Sequence, residues 1–98
     1  MANEGYHEPL EKLSAKTQDM HRALQSLMEE LEAVDWYNQR IDACEEVELK
    51  HILAHNRDEE KEHAAMVLEW VRRHDPEMDK QLRKTLFLDG AIVGEHEE

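Results

Sequence analysis

The sequence of 98 residues predicts an all-α fold, with two long antiparallel helices followed by a short C-terminal helix. Charged residues make up 37% of the chain and aromatic residues 5%, and the chain has only three Gly and two Pro. This composition is typical of long solvated helices rather than of sheets. Apolar residues also recur at intervals of three and four, which is the spacing of one helix face. The pattern runs to Asp75-Pro76, where proline disfavours continuation of the helix.

The first helix is predicted to begin near Pro9, a residue suited to the first helical position, with His7 or Glu8 before it as the cap. Its three-four spacing continues without a break and resembles the seam of a coiled-coil pair. Eight of the ten seam positions are apolar. They are Leu10, Leu13, Thr17, Met20, Leu24, Leu27, Leu31, Val34, Asn38 and Ile41.

The second helix is predicted to run from about Glu45 to His74. Asp42 followed three residues later by Glu45 resembles a capping box, in which two side chains satisfy the free N–H groups of a helix start. This placement leaves only a short connection after the first helix. Short connections join antiparallel neighbours, so we expect the two helices to form a hairpin.

A third, shorter helix is predicted after Asp75, which caps it, and its apolar stripe includes Met78 and Leu82. Gly90 and Gly94 mark its end and a loose tail. We therefore expect residues 1–98 to form a single domain, with flexible ends at about residues 1–7 and 88–98.

The charge balance narrows the possible partners. Twenty-four acidic and twelve basic residues give a formal net charge of −12. Such a surface repels phosphate backbones and anionic lipids, so neither nucleic acid nor a membrane is expected as a partner. No apolar run approaches the roughly 20 residues of a membrane span, and the start lacks the pattern of a signal peptide. The single cysteine, Cys44, excludes an intrachain disulfide and suits a reducing cytosol.

Two ionisable residues interrupt the apolar stripe of the second helix. Glu60 and His63 stand where apolar residues would pack, and an unpaired buried charge is costly. On the first helix, Glu30 borders the seam. A hairpin that turns near residue 43 places Glu30 level with residue 56, within one to two turns of the other pair at a rise of about 1.5 Å per residue.

One Glu on one helix and a Glu-x-x-His pair on the next are half of the ligand set of ferritin-like di-iron or di-manganese bundles. The chain has only two long helices, so we expect a second copy to supply the other half and to complete a four-helix bundle. Carboxylates with one imidazole per ion suit iron or manganese better than structural zinc. The spacing does not separate iron from manganese, and iron is the expected metal. Two ferrous ions held together would each give an electron to dioxygen, which predicts a ferroxidase.

The residues also allow other interpretations. The Glu-x-x-His pair would be exposed if the helix face were different, or it would hydrogen-bond to Asn56, Tyr37 or Arg57. Glu59 lies four residues before His63 and is a rival ligand, although it projects away from the stripe. As functions, the alternatives are a non-enzymatic acidic helical adaptor and a di-manganese or di-iron oxidase that consumes peroxide.

Two segments taken together resemble a known family. Residues 28–37, MEELEAVDWY, and residues 53–66, LAHNRDEEKEHAAM, are similar to segments of the encapsulated ferritins of prokaryotes. The resemblance runs from about His7 to Phe87. It implies ferroxidase activity, with Glu30, Glu60 and His63 as iron ligands shared across a subunit interface. It also implies that Tyr37 lies close to the metals.

The resemblance further implies that Glu29, Glu32 and Trp36 form an outer stripe that attracts or relays iron. Their i, i+3, i+7 spacing does place them on one helix face. From the residues alone, the two acids are solvated surface and Trp36 is an interface residue.

The resemblance also implies the partners and the location of the chain. Members of the family form dimers as the minimal active unit, assemble into ring-shaped decamers, and act as cargo of an encapsulin shell protein in the prokaryotic cytoplasm. The oxidised iron is mineralised inside that nanocompartment. Members usually carry a linker and a short apolar docking peptide beyond this stretch. These 98 residues do not contain that peptide, so we expect the docking signal on a removed segment or elsewhere.

Overall fold

A computed structural model describes residues 5–94 and contains a short 3-10 turn followed by three α-helices. The turn spans Leu10–Lys12, and the helices are α1 (Ala15–Ala43), α2 (Val47–His74) and α3 (Pro76–Thr85). No strand occurs in this part of the chain, so the predicted all-α class is confirmed. The first two helices pack against each other as a hairpin, and α3 packs against α2.

The first helix begins later than the sequence pattern predicts. Pro9 starts the 3-10 turn, where its carbonyl accepts a hydrogen bond from the N–H of Lys12 at 2.9 Å. Leu13 is extended and ends that turn. Ser14 then caps α1, because its hydroxyl accepts a hydrogen bond from the N–H of Thr17 at 3.1 Å. The prediction that α1 begins near Pro9 is wrong, since serine is a much stronger helix cap than the residues before Pro9.

The predicted capping box at the start of α2 is also wrong. Asp42 is still inside α1, which ends only at Ala43. The cap of α2 is instead Glu46, whose carboxylate accepts a hydrogen bond from the N–H of Leu49 at 2.8 Å. The helices are therefore joined by the three residues Cys44–Glu46. The end of α2 at His74 is as predicted.

The third helix is confirmed, and Asp75 caps it through a hydrogen bond from the N–H of Met78 at 3.0 Å. Its end differs from the prediction, because α3 stops at Thr85 rather than near Gly90. The residue in the left-handed conformation that follows is Phe87, with φ of 63°. A left-handed residue just beyond the last turn is a common way for a helix to end.

Residues 1–4 and 95–98 of the predicted flexible ends lie outside the described residues. The flexibility of both ends stays a prediction, as does the single-domain assignment. Within residues 5–94, no helix has the length and apolarity that crossing a bilayer requires.

The hairpin has almost no closed core of its own. Among the described residues only Ala64 and Val71 are buried. Large apolar side chains on the two long helices stay open to solvent, including Leu31 at 54% and Met66 at 59% exposure. Seam residues such as Leu24 are thus only partly covered by the second helix. These exposed apolar side chains are available for contact with a partner.

A network of charged side chains joins α3 to α2. The guanidinium of Arg72 forms an ion pair with Asp79 on α3 and with Glu69 on its own helix at 2.8 Å. Arg83 pairs with the same Asp79 at 2.9 Å. Hydrogen bonds from Arg72 and Arg73 hold the pKa of Glu69 down to about 2. Asp79 is therefore the acid through which α3 is bound to α2.

We expect Asp79→Asn to loosen α3 without unfolding the hairpin, because the variant removes the charge that pairs with Arg72. Amide hydrogen exchange should become several-fold faster across residues 76–85 and change little within α1. Glu77→Gln is the matched control, since Glu77 bonds only to Gln81 within α3 among the described contacts. Equal protection of α3 in Asp79→Asn and in the wild type would contradict this role.

Candidate metal centre

The structure brings Glu30, Glu60 and His63 together at the middle of the hairpin. Glu60 and His63 are three residues apart on α2 and share one face of that helix. Glu30 reaches them from α1. Their candidate ligand atoms all lie within 4.8 Å of one another. The Nδ1 of His63 is 3.4 Å from Oε1 of Glu30 and 3.5 Å from Oε1 of Glu60.

The length of the connection sets this register. The linking residues Cys44–Glu46 are centred on residue 45, and an antiparallel hairpin centred there places Glu30 opposite Glu60. The predicted turn near residue 43 would instead place Glu30 opposite residue 56. This predicted position of Glu30 relative to α2 is wrong by about one helical turn, because α1 continues through Ala43 and the cap of α2 is Glu46.

The two carboxylates are held together in a half-buried position. The side chains of Glu30 and Glu60 are 23% and 27% exposed. The Oε1 atom of Glu30 is shielded from solvent and accepts no hydrogen bond, so its contact with His63 is electrostatic. A hydrogen-bonding interaction with the Glu60 carboxyl, reinforced by burial, raises the pKa of Glu30 above its ordinary value. The negative charge of the two carboxylates is therefore not fully balanced by positive charge nearby.

His63 supplies part of that charge. Partial burial disfavours its charged form, but Glu30 and Glu60 outweigh this effect, so the pKa of His63 is raised above its ordinary value. A divalent cation would neutralise the two carboxylates more completely than this imidazole does. Two carboxylates and one imidazole are donors that suit iron or manganese. The orphaned Oε1 of Glu30 is thus the observation that fits a metal best.

Arg57, an alternative partner of the Glu-x-x-His pair, and Glu59, the rival ligand, both have contacts elsewhere. Arg57 donates hydrogen bonds to Asn38 on α1 and to its neighbour Asp58, each at 3.1 Å. Glu59, the rival ligand, is 55% exposed and lies 3.3 Å from the imidazole of His55. Among the contacts of the described residues, none joins Asn56 or Tyr37 to the Glu-x-x-His pair.

The other predicted site residues lie outside this cluster of three. Glu29 and Glu32 are exposed on α1, and Glu29 accepts a hydrogen bond from the amide of Gln25 at 3.3 Å. Trp36 is 48% exposed and Tyr37 is half-buried. Their roles as iron-relaying or metal-adjacent residues stay predictions.

Sequence analysis missed Arg40, which contacts both aromatic residues. Its guanidinium carbon lies 5.4 Å from the centre of the Tyr37 ring and 6.0 Å from the centre of the Trp36 ring. The signal that could have found it is the i+3 and i+4 spacing of Arg40 from these residues, since residues so spaced are neighbours on a helix.

Comparisons with known proteins agree on one family. A sequence model of the EncFtn-like family matches residues 5–89. An encapsulated ferritin-like protein of Rhodospirillum rubrum is 63% identical over 87 residues, which cover 89% of this chain and 62% of that protein. A ferritin-like protein of Thermotoga maritima is 53% identical over 93 residues, covering 95% of this chain and 82% of that protein.

More distant and structural matches point the same way. The encapsulin nanocompartment cargo protein EncC of Myxococcus xanthus is 48% identical over 48 residues, which cover 49% of this chain and 37% of that protein. The crystal structure of protein ne0167 from Nitrosomonas europaea superposes with a TM-score of 0.89 at 64% identity, covering 92% of this chain and 99% of that one. The chain spans less than two thirds of its Rhodospirillum relative. With the family match running over most of its length, the chain belongs to the EncFtn-like family.

Proposed function

We propose that this chain is a ferroxidase, which oxidises ferrous iron with dioxygen at a di-iron centre shared between two subunits. The meeting of Glu30, Glu60 and His63, in which one buried carboxylate oxygen accepts no hydrogen bond, carries the proposal. Membership of a ferritin-like family supports iron as the metal.

The site is half of a known ligand set. Ferritin-like di-iron bundles use a Glu from each of two helices and a Glu-x-x-His from each of the other two. One hairpin supplies one of each element, so two hairpins make a whole site in a four-helix bundle. The exposed apolar side chains of the hairpin, such as Leu31 and Met66, are available to be covered by the second copy.

In this proposal the residues of the chain act as ligands that exchange protons for metal. Because the pKa of Glu30 is raised, protons compete with a cation for its carboxylate up to a higher pH than for an ordinary glutamate. His63 likewise must lose its proton to bind through Nδ1. The half-buried position of the carboxylates limits water around the ions and strengthens their electrostatic attraction. Bound ferrous ions, the substrate, supply the electrons that dioxygen takes up.

The outer stripe of Glu29, Glu32 and Trp36 is proposed to bring ferrous ions to this centre. The two glutamates lie on the same helix as Glu30 and are exposed to solvent. A net charge of −12 concentrates cations near the whole surface, and the stripe would collect them beside the site. Tyr37 lies two helical turns beyond Glu30, and we assign it to the surroundings of the metals in the complete site.

The names of the relatives suggest where this chemistry takes place. One relative is named for being encapsulated and another for being cargo of an encapsulin nanocompartment. We propose that this chain is likewise a cargo protein of an encapsulin shell in the prokaryotic cytoplasm, and that its dimers assemble into a ring-shaped decamer. Mineralised iron storage inside the shell is then its role.

We expect Glu30→Gln to slow ferrous oxidation by more than about 100-fold, because it removes a charged ligand from both half-sites while keeping side-chain shape. Changes to groups that only support metal ligands already cost about 10- to 100-fold. Glu59→Gln is the matched control. It removes the same charge next to Glu60 but alters only the outward contact with His55, and it should keep the wild-type rate.

Stopped-flow absorbance under air, with the oligomer checked by size-exclusion chromatography, is the measurement. A wild-type rate in Glu30→Gln would contradict the ligand assignment. If Glu30→Gln and the wild type assemble identically and neither oxidises iron, the acidic adaptor becomes the better explanation. Faster consumption of peroxide than of dioxygen would favour the peroxide-consuming oxidase.

Metal binding should also weaken as the pH falls. The pKa values of Glu30 and His63 are both raised, so these groups keep their protons to a higher pH than usual. Protons then compete with the metal over the range in which His63 titrates, and affinity should rise from pH 5.5 to pH 7.5. Anaerobic calorimetry with ferrous iron, in two buffers of different ionisation enthalpy, measures the protons released. Binding without proton release would contradict this coupling.

A further inference from the structure

Arg40 differs from the other arginines of the chain in what it contacts. The sequence contains six arginines, and all lie within residues 5–94. Five of them form an ion pair with an aspartate or a glutamate, and these five are Arg22, Arg57, Arg72, Arg73 and Arg83. In the described part of the chain, Arg40 has no carboxylate partner. Acids outnumber bases by twenty-four to twelve, so this contrast needs a reason.

The described contacts of the Arg40 guanidinium are two aromatic rings, those of Tyr37 at 5.4 Å and Trp36 at 6.0 Å. Both distances fall within the reach of a cation–π interaction, about 6 Å from the ring centre. The guanidinium is planar and weakly hydrated, which suits contact with aromatic rings. A carboxylate partner would draw this group away from the rings. The lack of one leaves the cation free to interact with both.

The two rings belong to neighbouring residues that point in different directions. Consecutive residues on an α-helix are rotated by about 100° from each other. Trp36 therefore lies on the same helix face as Glu29 and Glu32 of the outer stripe, whereas Tyr37 lies on the face of Glu30. Trp36 is 48% exposed, so the hairpin itself packs loosely against its ring. A single cation in contact with both rings restricts both side chains at once.

We propose that Arg40 is a positioning residue that fixes two side chains of the proposed site, Trp36 of the outer stripe and Tyr37 on the helix face of Glu30. The inference rests on the proposed function, because only that function makes these two rings part of the site. Arg40 does not touch the metal ligands in the described contacts. Its effect on oxidation would act through the two aromatic side chains.

The first test is fluorine NMR of protein labelled with 3-fluorotyrosine. The chain has two tyrosines, Tyr6 and Tyr37, so each spectrum holds its own reference. In Arg40→Gln we expect the Tyr37 resonance to shift while the Tyr6 resonance stays in place. Arg40→Lys, which keeps the charge but not the planar group, should give a smaller shift. An unchanged Tyr37 resonance in Arg40→Gln would overturn the proposal.

Arg22→Gln is the matched control for loss of one positive charge from α1. Arg22 pairs with Asp19 and lies eighteen residues from Arg40, about 27 Å along the helix. The Arg22→Gln variant should leave the Tyr37 resonance unchanged. A Tyr37 shift in Arg22→Gln equal to that in Arg40→Gln would also overturn the proposal, because the effect would then follow net charge rather than contact.

The second test is the rate of ferrous oxidation. Arg40→Gln should slow it about two- to fivefold, the size expected for losing an exposed cation–π contact, while the number of irons bound per chain stays the same. A wild-type rate, or a loss of bound iron, would contradict a positioning role. The NMR test does not depend on iron. If the wild type fails to oxidise iron, the proposed function is wrong, but the NMR result still tests the contact of Arg40 with the two rings.

Discussion

The close approach of two half-buried carboxylates, Glu30 and Glu60, is the constraint on which the proposed activity depends. Glu30 and Glu60 share one small volume, and the imidazole of His63 is the nearby group that offsets their charge. The offset is incomplete, because one oxygen of Glu30 is shielded from water and accepts no hydrogen bond. A folded chain retains such a cluster at a cost in stability. In the proposed function, a bound cation would offset this cost by neutralising the carboxylates.

The helical hairpin brings the cluster together through its connection. Three residues, Cys44–Glu46, separate the helices, and the capping carboxylate of Glu46 determines where α2 begins. One residue more or less would rotate the Glu-x-x-His pair by about 100° and move it away from Glu30. The same short hairpin leaves many of its large apolar side chains exposed, and Val71 is the most buried of the described residues. The second copy that we propose would complete both the ligand set and the core.

Much of this arrangement follows from the sequence. The three-four spacing predicted the helices, and Asp75-Pro76 located the end of α2 and the cap of α3, because proline acts locally. The polar interruption at Glu60 and His63 identified the cluster. The pattern misplaced the start of α1, because Pro9 can begin a 3-10 turn as well as a helix. It also placed the turn too early, since Asp42 and Glu46 both have carboxylates able to cap a helix. Arg40 was missed because contact with two rings requires side-chain positions.

Native mass spectrometry of the purified chain can detect a di-iron site shared by two hairpins. Spectra are compared with and without ferrous iron under anaerobic conditions. We expect an even-numbered oligomer that gains about two irons per pair of chains, and Glu30→Gln should assemble but fail to gain them. A monomer, or an oligomer whose mass does not change with iron, would contradict a site shared between two copies.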